Sequence, residues 1–165
     1  YAMPPFEVTL DGGGAFRCPG TAEGKQNLSP PLSWQYVPRE SKSLALLMVD
    51  QLNYAYPDMS EHALFPHWVV YNIPPTVREF PEGMPAELSL PDGGSQGINS
   101  YPPPYNQGYG GPCPMVGEEH LYIFTLYALE TELEIAPGAD FGTIMSAIEG
   151  HILAEVSLPV YYTAK

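Results

Sequence analysis

His120 and Tyr122 stand two residues apart where a loop rich in Gly, Pro, Asn and Tyr meets an apolar run rich in Tyr, Ile, Phe and Thr. An imidazole and a phenol can both donate to an oxyanion, and the imidazole also exchanges a proton near neutral pH. Strand side chains alternate, so positions 120 and 122 share a face if the apolar run is extended. By residue type alone, a hydrogen-bonded structural histidine and a core tyrosine are the commoner roles. Other sets are weaker. Asp58, Glu61, His62 and His67 are metal-ligating types, but they fall in a loop with no common zinc spacing. Ser29 or Ser100 could join His120 and Asp50 in a hydrolytic triad, yet there is no Gly-x-Ser-x-Gly elbow. Gly108-Tyr109-Gly110-Gly111 precedes a strand and not a helix, so it is not a dinucleotide loop.

The elements that must position these side chains are mostly strands. Residues 97–119 read as a loop with several forced turns, and residues from His120 to Leu129 as a buried strand. Residues 43–50 carry Leu44, Leu46 and Met48 at one parity and Ala45, Leu47 and Val49 at the other, so both faces should be covered. Asp50 ends that strand on the face of Leu46 and Met48. Further strands are expected at 6–10, 32–36, 67–73 and 153–158, with short pieces at 77–80 and 87–90 and an irregular loop at 51–66. Pro159 suits only an edge or a strand end. One helix is expected: Asp140 is a plausible N-cap, Phe141, Ile144, Met145, Ile148 and Ile152 have helical spacing, and Gly150 can end it. This pattern predicts a mostly β sandwich with one late peripheral helix, in a single domain spanning 1–165. The expected core holds Leu46, Met48, Val69, Tyr71, Ile123, Phe124, Leu126, Ile144 and Ile148.

Nineteen acidic and six basic residues give a formal net charge of -13 over 165 residues. That opposes binding to nucleic acid and to anionic membrane surfaces, both of which need Lys and Arg. No apolar stretch is long enough for a transmembrane helix. Twenty Pro and sixteen Gly imply many turns and short strands. The chain starts at Tyr1, as expected of a mature form after signal cleavage or of a trimmed chain. With two cysteines and few basic residues it leans toward an extracellular or periplasmic protein, without excluding the cytoplasm.

Four motifs in order extend this reading: Asn27-Leu28-Ser29-Pro30-Pro31-Leu32-Ser33-Trp34; His67-Trp68-Val69-Val70-Tyr71-Asn72-Ile73-Pro74; Gly110-Gly111-Pro112-Cys113-Pro114 with Gly117, His120, Tyr122 and residues 124–129; and Gly150-His151-Ile152-Leu153-Ala154-Glu155. Together they resemble the phosphatidylethanolamine-binding protein (PEBP) family, in particular its bacterial and archaeal Raf-kinase-inhibitor-like branch. The resemblance implies two antiparallel sheets with a small anion pocket at one end. It places Asp50, His67, His120 and Tyr122 in that pocket, walled by Gly110, Gly111 and Pro112, with the Gly110-Gly111 amides adding a nest for negative charge. The family's usual Asp-Pro-Asp is Asp50-Gln51-Leu52 here, so the cavity should be less acidic and more apolar, and Asp58, Glu61 or His62 could refill its rim.

The resemblance also implies a close pair, Cys18 and Cys113, disulfide-bonded in an exported protein and otherwise two buried thiols. It implies at least one cis peptide among Pro30, Pro31, Pro112 and Pro114. The expected function is non-enzymatic binding of a small anionic or phosphorylated ligand, or of a protein partner, with no cofactor, no catalytic residue and no metal. Homodimers or larger self-assembly are expected partners of the chain itself. One alternative is an extracellular structural or self-assembling protein on the same fold, suggested by twelve Tyr and the Tyr101-Pro102-Pro103-Pro104-Tyr105 loop. A weaker alternative is a hydrolase inhibitor.

Overall fold

The structure, a computed structural model, describes residues 27–164 and the strand at 7–10. In chain order its elements are β1 (Glu7–Leu10), β2 (Leu32–Gln35), β3 (Ser43–Gln51), the one-turn α1 (Leu52–Ala55), β4 (Leu64–Ile73), β5 (Glu79–Phe80), β6 (Ser95–Gln96), β7 (Glu119–Leu129), α2 (Phe141–Ile148) and β8 (Ile152–Thr163). They form two antiparallel sheets, β1-β2-β5 and β6-β4-β3-β7-β8.

The two apolar parities of β3 explain the layering. Leu44, Leu46 and Met48 pack with Trp68, Val70, Phe124 and Leu126, and against Leu32, Trp34 and Phe80 of the small sheet. Ala45 and Leu47 face the other way, with Val69 and Tyr71, onto Ile144 and Ile148 of α2. A strand buried on both faces must be apolar along its length, and β3 is from Leu44 to Val49. Asp140 caps α2 by accepting from the Thr143 N–H at 2.8 Å. Among the described residues no helix is long and apolar enough to cross a membrane.

Several local expectations need correction. Ile123 is only half-buried, because it lies on the α2 side of β7 beyond the patch that α2 covers. Ile152 opens β8 instead of closing α2, after Gly150 takes the left-handed conformation (φ 81°). Residues 87–90 contribute only a bridge from Ser89 to Ser95. The strand there is β6, pinned by the buried Gln96: its carbonyl accepts from Trp68 Nε1 at 2.7 Å, and its amide donates to the carbonyls of Pro85 and Glu87 at 2.7 and 2.8 Å. β8 runs on through Pro159 to Thr163, which its place at the sheet edge permits. The bonds before Pro30, Pro31, Pro112 and Pro114 are not cis; the one cis bond among the described residues is Pro103–Pro104. The two X-Pro isomers differ by only about 0.5–1 kcal/mol, so local sequence does not choose between them.

Candidate functional site

The site is assembled by strand register. Asp50 at the end of β3 lies opposite Tyr122 of β7 and opposite Phe65 of β4. His120 precedes Tyr122 by two positions and shares its face. His67 arrives differently. The β3–β4 register slips between Met48, which faces Trp68, and Val49, which faces Pro66, leaving His67 as an extra residue. Strict alternation from Trp68 would turn His67 and Phe65 toward α2; the bulge turns both onto the opposite face. There they border a cavity of about 260 Å³ lined by Asp50, Leu52, Tyr56, Phe65, His67, Tyr101, Cys113, His120 and Tyr122.

The loop before β7 forms the remaining wall. Buried Asn99 organises it, donating to the carbonyls of Tyr105 and Gly108 at 3.0 Å each and accepting the Tyr101 N–H at 2.9 Å. Tyr101 donates its hydroxyl to the Gly111 carbonyl at 2.7 Å, with its ring against Gly110. A Cβ on Gly110 would lie 2.5 Å from that ring, so glycine is needed for the close approach.

The polar geometry centres on His120. Its Nδ1–H donates to Asp50 Oδ2 at 2.6 Å, and its Nε2 faces Glu118 Oε2 at 3.4 Å. Asp50 is buried, and its Oδ1 has no hydrogen-bond partner. Burial raises the Asp50 pKa, against the lowering effect of His120. The Tyr56 hydroxyl donates to Glu118 at 3.0 Å and holds that carboxyl below its usual range. His67 donates Nδ1–H to the Gly110 carbonyl at 2.7 Å, and burial pushes its pKa down to about 4. Its ring is therefore neutral at pH 7, leaving Nε2 an acceptor. Burial and the nearby Asp50 push the Tyr122 pKa far up, so its hydroxyl stays protonated; it has no hydrogen bond among the described residues.

A family model described as phosphatidylethanolamine-binding protein matches residues 8–163. The chain belongs to the PEBP family. A UPF0098 protein of Methanothermobacter thermautotrophicus is 45% identical over 138 residues, covering 84% of this chain and 83% of the relative. The UPF0098 protein YbhB of Escherichia coli is 33% identical over 139 residues, covering 83% and 82%. Among solved structures, a PEBP homolog from Chlamydia trachomatis superposes with TM-score 0.75 at 32% identity, covering 98% of this chain and 99% of the other. Escherichia coli YbcL, described as a member of the mammalian PEBP family, gives TM-score 0.77 at 28% identity, covering 98% and 100%.

In this PEBP chain the structure brings Asp50, His67, His120 and Tyr122 to one cavity. Gly110, Gly111 and Pro112 stand behind its wall and do not line it. The expected amide nest is absent: the Gly110 N–H donates to the His67 carbonyl at 2.8 Å and the Gly111 N–H to Asn27 Oδ1 at 2.8 Å. Asp58, Glu61 and His62 are exposed and do not border the cavity; α1 instead brings Leu52 and Tyr56 to the rim. Ser29 and Ser100 do not line it either. Cys113 is disulfide-bonded and lines the cavity, while Cys18 lies outside the described residues. Sequence reasoning missed Tyr56, Phe65 and Tyr101 as wall residues. The alternation of Tyr54 and Tyr56 behind Asp50, and a bulky ring facing the Gly110-Gly111 pair, were the available signals.

Proposed function

We propose that this PEBP-family chain is a non-enzymatic binding protein whose cavity at Asp50, His67, His120 and Tyr122 takes a small polar ligand or the tip of a protein partner. The observation that carries the reading is the 2.6 Å Asp50–His120 pair, buried at a cavity whose other walls come from α1, β4 and the loop before β7. At about 260 Å³ the cavity is smaller than the roughly 300–1,000 Å³ of drug-sized sites, which suits a headgroup-sized molecule. The seryl hydroxyls that a hydrolytic set would use lie away from it, which supports binding over hydrolysis. A disulfide at Cys113 fits an oxidising compartment, and we extend the proposal to an exported protein.

For an anionic or phosphorylated ligand this geometry supports weak binding that grows as pH falls. Among the described residues the free donor is the Tyr122 hydroxyl and the glycine amides are engaged, while an imidazole adds a donor when it is protonated. Inorganic phosphate should shift the amide resonances of residues around His120 more at pH 5.5 than at pH 7.5, and the shifts should vanish in His120→Ala. Equal shifts in both proteins, or none at either pH, would remove the anionic form of the reading.

A second reading, self-assembly, is favoured by the twelve-residue edge strand β8, which exposes Ile152, Leu153 and Tyr161. Tyr101, part of its original motive, is turned into the cavity wall. Light scattering that shows discrete monomers or dimers disfavours it.

A further inference from the structure

Four tyrosines are exposed among the described residues: Tyr36, Tyr54, Tyr105 and Tyr161. Two of these rings meet, those of Tyr54 and Tyr161, edge to face with centroids 5.4 Å apart and planes at 61°. They come from separate elements. Tyr161 stands opposite Leu121 in the β7–β8 pairing, on the sheet face beyond the patch that α2 covers. Tyr54 reaches it from α1, a single turn with no capping side chain and no buried residue.

Tyr54 also has a proton acceptor in place. Its hydroxyl donates to Glu119 Oε1 at 2.6 Å, and Thr163 donates to the other oxygen of that carboxylate at 3.4 Å. The bond to Glu119 raises the Tyr54 pKa, so the reduced phenol keeps its proton. Removing an electron from the ring makes the phenol strongly acidic, and a base already within hydrogen-bond reach takes the proton as the electron leaves. A phenol so placed is easier to oxidise than one that must release its proton into bulk water. Exposed side chains reorient within nanoseconds, so two adjacent radicals reach a coupling geometry quickly. The partner ring is held at an effective concentration that a second copy does not match, and the net charge of -13 keeps second copies away.

We propose that Tyr54 and Tyr161 form an oxidative modification site, where a peroxidase-type one-electron oxidant couples the two rings of one chain into dityrosine. Each ring gives one electron to the oxidant. Tyr54 passes its proton to Glu119, which hands it to solvent, and Tyr161 passes its own to water. The two phenoxyl radicals join through a carbon ortho to each hydroxyl, and the two ortho hydrogens move to the oxygens, restoring both phenols. The two electrons and two protons lost reduce one hydrogen peroxide to two waters. The link ties α1, and with it Leu52 and Tyr56 of the cavity wall, to the sheet edge at β8. To test this, the chain at low concentration is treated with a peroxidase and hydrogen peroxide, and the monomer band of a denaturing gel is digested and mapped by tandem mass spectrometry. The expected product joins the Tyr54 and Tyr161 peptides, lighter than their sum by two hydrogen atoms, and gives the monomer dityrosine fluorescence. Tyr54→Phe and Tyr161→Phe, both at the surface, should each abolish that fluorescence, and Tyr105→Phe should leave it unchanged. Glu119→Gln keeps both rings and should slow the coupling several-fold, an effect that mere ring packing does not produce. Monomer fluorescence that survives Tyr161→Phe, a link confined to dimers, or no link at all overturns the proposal. An unchanged rate in Glu119→Gln overturns the role of Glu119 as acceptor.

Discussion

His67 is the residue through which acidity reaches the fold. The residue is 2% exposed, and burial pushes its pKa down to about 4, against the raising effect of the Gly110 and Gly111 carbonyls. In the unfolded chain a histidine titrates near pH 6.5. Between those values the unfolded chain binds a proton that the folded chain refuses. The stability linked to this residue is therefore complete above about pH 6.5 and is lost as pH falls toward 4. The loss should approach about 3 kcal/mol by pH 4. Asp50, whose carboxyl burial holds above its ordinary range, acts in the opposite sense at the acid end. In urea unfolding followed from pH 7.5 to 4, the deficit of His67→Gln relative to the wild type should shrink as pH falls. A deficit constant across that range would contradict the assignment.

At the scale of elements, β6 shows how two residues can organise a sheet edge. Gln96 satisfies the Trp68 indole and two loop carbonyls at once. Gln96→Leu would leave a buried indole N–H without an acceptor and should lower stability by about 2–4 kcal/mol, measured by chemical denaturation. A change below 0.5 kcal/mol, a limit of roughly the size expected for surface substitutions, would mean that water replaces the amide. Elements whose pattern is local were legible in the sequence. β3 announced itself by apolar residues at both parities, and α2 by Asp140 and its 3.6-residue spacing. Elements set by distant partners were not. Ser95 and Gln96 have no strand-like pattern of their own, and α1 has no capping side chain. The site divided in the same way. His120 and Tyr122 follow from alternation, and Asp50 and His67 came with the family resemblance. The bulge that turns His67 inward depends on a neighbouring strand's register, and the engagement of the Gly110 and Gly111 amides depends on Asn27 and His67 far along the chain.

The molecule as a whole carries nineteen acidic and six basic residues, and its unfolded chain spreads that charge over a larger volume. Self-repulsion therefore disfavours the compact state, and added salt relieves it. Raising sodium chloride from 20 to 500 mM should stabilise the fold on the order of 1 kcal/mol, or about 2–4 °C in melting temperature. A melting temperature independent of salt would show that the charges are already paired or too far apart to matter. The same repulsion bears on self-assembly through β8, since two copies of a strongly anionic chain approach each other more readily in salt. Light scattering across the same series separates the two effects.

The slipped register at His67 also bears on how such a cavity could arise and disappear. An imidazole held by one surplus residue in a strand is linked to the length of the gene as well as to its spelling. Deleting a single codon at position 66 or 67 would remove the slip between Met48 and Val49, keep the one between Leu44 and Leu46, and keep the apolar residues on their own faces, yet no imidazole from β4 would face Tyr122. A descendant with a flawless core and an empty mouth is thus one in-frame deletion away, and the reverse insertion could open the cavity in a single event.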